Sequence, residues 1–167
     1  MSGAGAAGGD AGRAAGSAPR HALDTLDHAA WIVRDLDAAA AVFARLGFRL
    51  SPRQHHSAEM GSANHTFVLG DAYVELIGMT APTAFNAPWR ARLEEREGLY
   101  MASLRTGDAA AAWAALAARG VDATAPVPHA RPATLPDGRT VTVAFDTVYV
   151  DAAATAPLHV SACHHHQ

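Results

Sequence analysis

The chain contains no lysine, so its 13 cationic residues are all arginine, and its one cysteine is Cys163. A single thiol excludes an internal disulfide framework and fits a reducing compartment, so a cytoplasmic location is expected. No apolar run approaches the ~20 residues that span a bilayer, which excludes a membrane helix. A formal net charge of −3 leaves no basic footprint for nucleic acid or an anionic membrane, and neither is expected as a partner. Large apolar side chains are scarce as well. Half the residues are hydrophobic, but alanine dominates that half and aromatics make up only 7 %. The core must therefore come from a few well-placed runs. The opening stretch, MSGAGAAGGDAGRAAGSAPR, has too little apolar side chain to fold and no apolar segment of a secretory signal. A disordered tail over residues 1–22 and one domain over 23–167 are expected, since 167 residues suffice for one sizeable core.

What is present is periodic. LDHAAWIVR, from Leu26, reads as a strand. Asp35 then caps an alanine-rich helix in which Leu36, Ala39, Ala40, Phe43 and Leu46 share one face, and Gly47 closes it. A second strand is expected over Phe48 to Arg53. HTFVLG and AYVELIGM, joined at Gly70-Asp71, read as a hairpin. A connector over about 80–98 carries two prolines, and one turn of helix is expected across Trp89 to Arg96. The order then starts again: a strand from Leu99, a helix capped by Asp108 and closed by Gly120, a Pro-Asp-Gly turn at residue 136, a β-branched strand, and a last strand in PLHVSAC. Two copies of one strand–helix–three-strand unit, about 26–79 and 99–163, point to internal duplication within an α+β domain.

LDHAAWIVRDLDAAAAVFARLGF and GSANHTFVLGDAYVELIGM resemble the first strand, helix, and third and fourth strands of vicinal-oxygen-chelate (glyoxalase-like) proteins. AFNAPWRARLEEREGL and RPATLPDGRTVTVAFDTVYV are similar to the glyoxalase-like domain proteins among them. The resemblance implies two βαβββ modules forming a concave mixed sheet, either within one chain or across a homodimer. It also implies more chain beyond CHHHQ, so the sequence resembles a shortened form.

In metal-dependent relatives, four ligands on the first and fourth strands of each module hold one divalent ion, such as Fe²⁺, Mn²⁺, Ni²⁺, Co²⁺ or Zn²⁺. Carried onto this chain, the first two positions are His28 and Glu75, both proper ligand types. The third falls on or near Tyr100, a poor ligand at neutral pH. The fourth falls on His159. His28, Glu75 and His159 would have the two-His, one-carboxylate composition of non-haem iron oxygenases. His28 and Glu75 are also the candidate catalytic pair, because a carboxylate in the apolar run Tyr-Val-Glu-Leu-Ile needs a partner. Tyr100, Asn64, Tyr73 and Arg139 are candidate substrate contacts, with Arg131 as the other arginine beside the Pro-Asp-Gly turn. His55 and His56 read as solvated loop residues.

Two functions follow from the resemblance. One is a metal-dependent lyase, isomerase or dioxygenase acting on a small oxygenated metabolite. The other is a metal-free protein that binds or sequesters a small molecule with the same concave sheet.

Overall fold

The computed structural model describes residue 23 and residues 25–134 and 138–166; the tail expected over 1–22 lies outside them, as does most of the Pro-Asp-Gly turn. β1 (Thr25–Val33) leads into α1 (Leu36–Arg45), whose first turn is fixed by the Asp35 side chain accepting from the Ala38 N–H. β2 is only Gln54–His55, and β3 (Ser62–Leu69) and β4 (Ala72–Met79) form the expected hairpin. α2 (Ala87–Glu95) is longer than one turn. The second unit follows as β5 (Gly98–Arg105), α3 (Ala109–Ala117), β6 (Val127–Thr134), β7 (Thr140–Tyr149), a short α4 (Ala152–Thr155) and β8 (His159–His165). Among the described residues no helix is long and apolar enough to cross a membrane.

The strand expected over Phe48 to Arg53 forms later in the chain. Phe48 and Leu50 instead pack on the core beneath α1, and Pro52 has no N–H to give a ladder. The Ser51 N–H already bonds the Thr66 carbonyl of β3, but the regular ladder begins only at Gln54, opposite Asn64.

All eight strands form one mixed sheet in the order β2-β3-β4-β1-β5-β8-β7-β6. β1 runs parallel to β4, and β5 runs parallel to β8, while β1 and β5 meet antiparallel at the centre. That central pair is symmetric. Ala29 faces Ala102; around it His28 pairs with Ser103 and Ala30 with Met101, then Leu26 with Leu104 and Trp31 with Leu99. Each pair maps onto its counterpart when the caps Asp35 and Asp108 are matched, so a local twofold passes between Ala29 and Ala102. Each strand holds one residue skipped by the ladder, Asp27 in β1 and Tyr100 in β5. The axis exchanges these two bulges.

Helices cover one side of the sheet. α1 seats Leu36 over Val33, Ala63, Phe67, Val74 and Leu76, so close that a Cβ on Gly78 would come within 2.7 Å of the Leu36 Cβ. α3 packs Ala109 and Ala112 on Val148 and Ala162. The small alanines let α3 lie near the strands without large side chains. On the opposite, concave side, α2 covers one end through Leu93 and Trp89, which join Ala30, Ile32, Ile77 and Tyr100. The rest of that concave side carries the polar residues.

Candidate active site

Strand alternation places His28 and Glu75 on the concave side, because Trp31, Val74 and Leu76 are committed to the helix side. His28 is 8 % exposed; its Nδ1 lies 2.8 Å from the Asp27 carboxylate, and its ring stacks on Tyr73 at 4.7 Å. Asp27 is 1 % exposed and also meets Arg105 Nε and His165 Nε2, each at 3.1 Å. Burial pushes the Asp27 carboxyl up, but hydrogen bonds from His165, His28 and Arg105 outweigh it and hold the group well below the usual carboxylate range. An ionised carboxylate only accepts, so His28 donates its Nδ1 hydrogen to Asp27, and in the neutral ring Nε2 is the acceptor.

Glu75 lies in the next row of β4. Its Oε1 is 3.3 Å from His56 Nε2, and the Asn64 amide donates to the same oxygen. His56 in turn places Nδ1 2.7 Å from Ser62 Oγ. Burial alone would raise the Glu75 carboxyl, yet His56, His28 and Asn64 bring it down to about 2. Asn64 is fully buried, and its Oδ1 has no hydrogen-bond partner. Tyr73 is the opposite case: burial, with Glu75 and Asp27 nearby, raises its phenol far above 10, so it stays a hydrogen-bond donor. A groove of about 650 Å³ opens beside this cluster, between Asp27, Tyr73, Arg105 and His165.

The second unit contributes differently. The symmetry of the central pair makes Met101 the counterpart of His28, and the β4 and β8 registers make Ser161 the counterpart of Glu75. Tyr100 is instead the counterpart of Asp27, and His159 that of Tyr73. Tyr100 stacks on His159 at 4.4 Å and packs edge-on against Trp89. By register, Tyr100 is thus one residue from the counterpart of His28, at the bulge, and His159 two residues from the counterpart of Glu75, along β8. Arg139 is exposed at the entry to β7, outside the concave cluster. His56, read from sequence as solvated, is a buried partner of Glu75.

A family model described as a glyoxalase-like domain matches residues 26–167. The chain belongs to the glyoxalase-like domain family, within the vicinal-oxygen-chelate superfamily. Solved structures agree in fold. A methylmalonyl-CoA epimerase from Mycobacterium tuberculosis superposes with a TM-score of 0.68 at 16 % identity, over 91 % of this chain and 95 % of its own. A second methylmalonyl-CoA epimerase gives 0.66 at 18 % identity, over 88 % and 99 %. A hypothetical protein from Bacillus halodurans C-125 gives 0.65 at 12 % identity, over 86 % and 95 %. A search of curated proteins finds no match in sequence.

Followed through the strand registers, the four positions that the resemblance gives to metal ligands fall on His28, Glu75, Met101 and Ser161. A thioether and a neutral hydroxyl are poor replacements for imidazole and carboxylate around a divalent ion. Ser161 Oγ is moreover engaged, 3.0 Å from Ser103 Oγ and 3.7 Å from Met101 Sδ. The donor set at these positions does not fit the ion. Nor do His28, Glu75 and His159 form the expected triad: they are not among the donor groups whose atoms converge within 4.8 Å, and His159 is stacked on Tyr100. Among the described residues, donor atoms within 4.8 Å of one another occur in two other groups, Asp27–Cys163–His165 and Asp146–His164–His166. In both, the carboxylate is already paired, with His165 and Arg105 in one and with His166 in the other.

Proposed function

We propose that the concave face is a proton-transfer site for a small metabolite bearing adjacent hydroxyl and carbonyl groups, making the protein an isomerase or lyase of the glyoxalase type. The observation that carries this reading is the Asp27–His28 pair, which presents an acceptor nitrogen beside a buried carboxylate and a neutral phenol. Each group has a role. His28 Nε2 takes the proton from the carbon next to the carbonyl, and the C–H electron pair moves toward the carbonyl oxygen. The Tyr73 hydroxyl donates to that oxygen as charge develops on it. Ionised Glu75 accepts from the substrate hydroxyl and fixes its orientation, while the Asn64 amide holds the carboxylate in place. Return of the proton to the same carbon exchanges or inverts it. Return to the neighbouring carbon, with the hydroxyl proton moving to the first oxygen, isomerises the compound. Neighbours of the same fold are named epimerases, one of them solved with 2-nitronate-propionyl-CoA at 19 % identity, which supports proton chemistry as the reaction class.

Glu75 serves poorly as the base in this scheme, because a carboxylate that releases its proton at about 2 has little drive to take one from carbon. Met101 and Ser161 favour a second reading, a metal-free binding protein that holds such a metabolite without turning it over. Proton NMR in D₂O separates the two. Glycolaldehyde, dihydroxyacetone, glyceraldehyde and the glutathione adduct of methylglyoxal are incubated with wild type and with His28→Gln. The enzyme reading expects deuterium at the carbon next to the carbonyl, slowed about 100-fold or more in the variant. Ligand binding with no exchange in wild type would leave the binding protein.

A further inference from the structure

The concave side has a second bank, formed by β6, β7 and β8. On β6, His129 stacks on Phe145 at 5.1 Å, and its Nε2 lies 3.2 Å from the Tyr149 hydroxyl. Phe145 packs against His165, which reaches Asp27 on the concave side. Arg131, two residues beyond His129 and opposite Val143, therefore faces the same way. Its Nη1 is shielded from solvent and has no hydrogen-bond partner, and among the described residues Arg131 makes no ion pair with a carboxylate. The other cations near the groove differ: Arg105 and His165 both spend their charge on Asp27. The Arg131 charge also acts on the Tyr73 phenol, on the opposite bank.

A shielded guanidinium nitrogen without an acceptor is costly, and a folded chain that keeps one has a use for it. We infer that Arg131 anchors a carboxylate of the bound metabolite. The planar guanidinium fork matches a carboxylate in two-pronged geometry. The charge balance selects between anions: with Glu75 and Asp27 both ionised in the same cup, a monoanion is accepted more readily than a dianionic phosphate. The metabolite would then lie with its carboxylate on the second bank and its hydroxyl and carbonyl on the first. This inference rests on the concave face being the ligand site, and it does not depend on turnover there.

Thermal unfolding of the full chain tests it, comparing wild type with Arg131→Met and His28→Gln. The probes are glycolate, lactate, glycerate and malate, the amide of each, and inorganic phosphate, all at one ionic strength. Without ligand, Arg131→Met should melt at or above wild type, by about 2–4 °C if the unpaired charge is removed cleanly. At least one carboxylate should raise the wild-type midpoint in a concentration-dependent way, while its amide does not. Arg131→Met should weaken that carboxylate's apparent affinity about 10- to 100-fold. A lower midpoint for ligand-free Arg131→Met would mean that the guanidinium is already satisfied and would overturn the inference. So would a carboxylate shift that survives the substitution, the absence of any carboxylate shift, or phosphate outperforming every carboxylate. His28→Gln should keep the shift while losing proton exchange. An Arg131-dependent shift in a wild type that exchanges no proton would sink the proton-transfer reading and leave the anchor standing.

Discussion

Asp27 and His165 join the first strand to the last, their Oδ1 and Nε2 meeting 3.1 Å apart across the intervening β5. Arg105 and His28 hold the same carboxylate, and the Cys163 thiol lies 3.5 Å from the His165 ring nitrogen. The contact closes the sheet's two halves electrostatically, and it makes stability depend on pH from both sides. The Asp27 carboxyl is depressed, so its contribution is present above its ordinary 3.8 and is lost as the pH falls below that. His165 is raised to about 10, chiefly by Asp27, so its contribution is complete below the ordinary 6.5 and is lost as the pH climbs toward 10. Unfolding midpoints from pH 3 to 10 should peak between these limits, and Asp27→Asn should cost about 3–5 kcal/mol near the peak. A flat profile in wild type from pH 6 to 10 would contradict the role of His165.

Glu75 gives a narrower acid dependence. With its carboxyl at about 2 against an ordinary 4.5, its pairing with His56 stabilises the fold above 4.5 and is lost as the pH drops toward 2. Glu75→Gln should lower stability by about 1–3 kcal/mol at pH 7, and the gap to wild type should close below pH 4 in urea titrations. A double-mutant cycle with His56→Ala should show most of that cost as coupling between the two residues. A gap independent of pH would point to packing alone.

Metal binding can be built by substitution. The positions of Met101 and Ser161 correspond to those of His28 and Glu75, so Met101→His with Ser161→Glu completes a two-His, two-carboxylate set. After equilibration with Mn²⁺, Co²⁺ or Zn²⁺ and dialysis, the double variant should retain about one ion per chain, and Glu75→Ala should remove it. Wild type should retain no ion that depends on Glu75. Stoichiometric, Glu75-dependent metal in wild type would show that its own donors suffice.

Asn86 ties the connector to the sheet. The side chain is fully buried, donates to the carbonyls of Met60, Gly61 and Ala81, and accepts from the Thr83 N–H. Gly61 beneath it is at φ +57°, where a Cβ would lie 2.6 Å from the Ala81 oxygen. Asn86→Ala leaves the Met60 and Ala81 carbonyls short of a donor, while Gly61 keeps the Thr80 and Ala81 N–H groups, and should cost about 2–3 kcal/mol. Denaturant unfolding measures this directly; a loss below about 1 kcal/mol would mean that water replaces the amide.

Much of this was readable from local chemistry. Asp35 and Asp108 announce their helices through capping, and the apolar alternation around Glu75 puts its carboxylate on the concave side with His28. Long-range placement was less readable. Tyr100 misses the third position because a bulge adds one residue, which a single strand's sequence does not reveal. His159 lies two residues before its strand's counterpart of Glu75, since the preceding α4 and its connection alter the spacing. His56 belongs to a strand of two residues inside a polar stretch, so no periodicity marks it as buried. Between the two arginines near the Pro-Asp-Gly turn, only the pairing of β6 with β7 distinguishes the shielded Arg131 from the exposed Arg139.

The axis between Ala29 and Ala102 relates two backbones whose side chains have diverged: imidazole and carboxylate on one bank, thioether and hydroxyl at the matching places on the other. A vessel symmetric in shape but polar in chemistry admits a small molecule in one orientation only. Handedness at the reacting carbon would then be decided before any proton moves, by which bank receives which end of the guest.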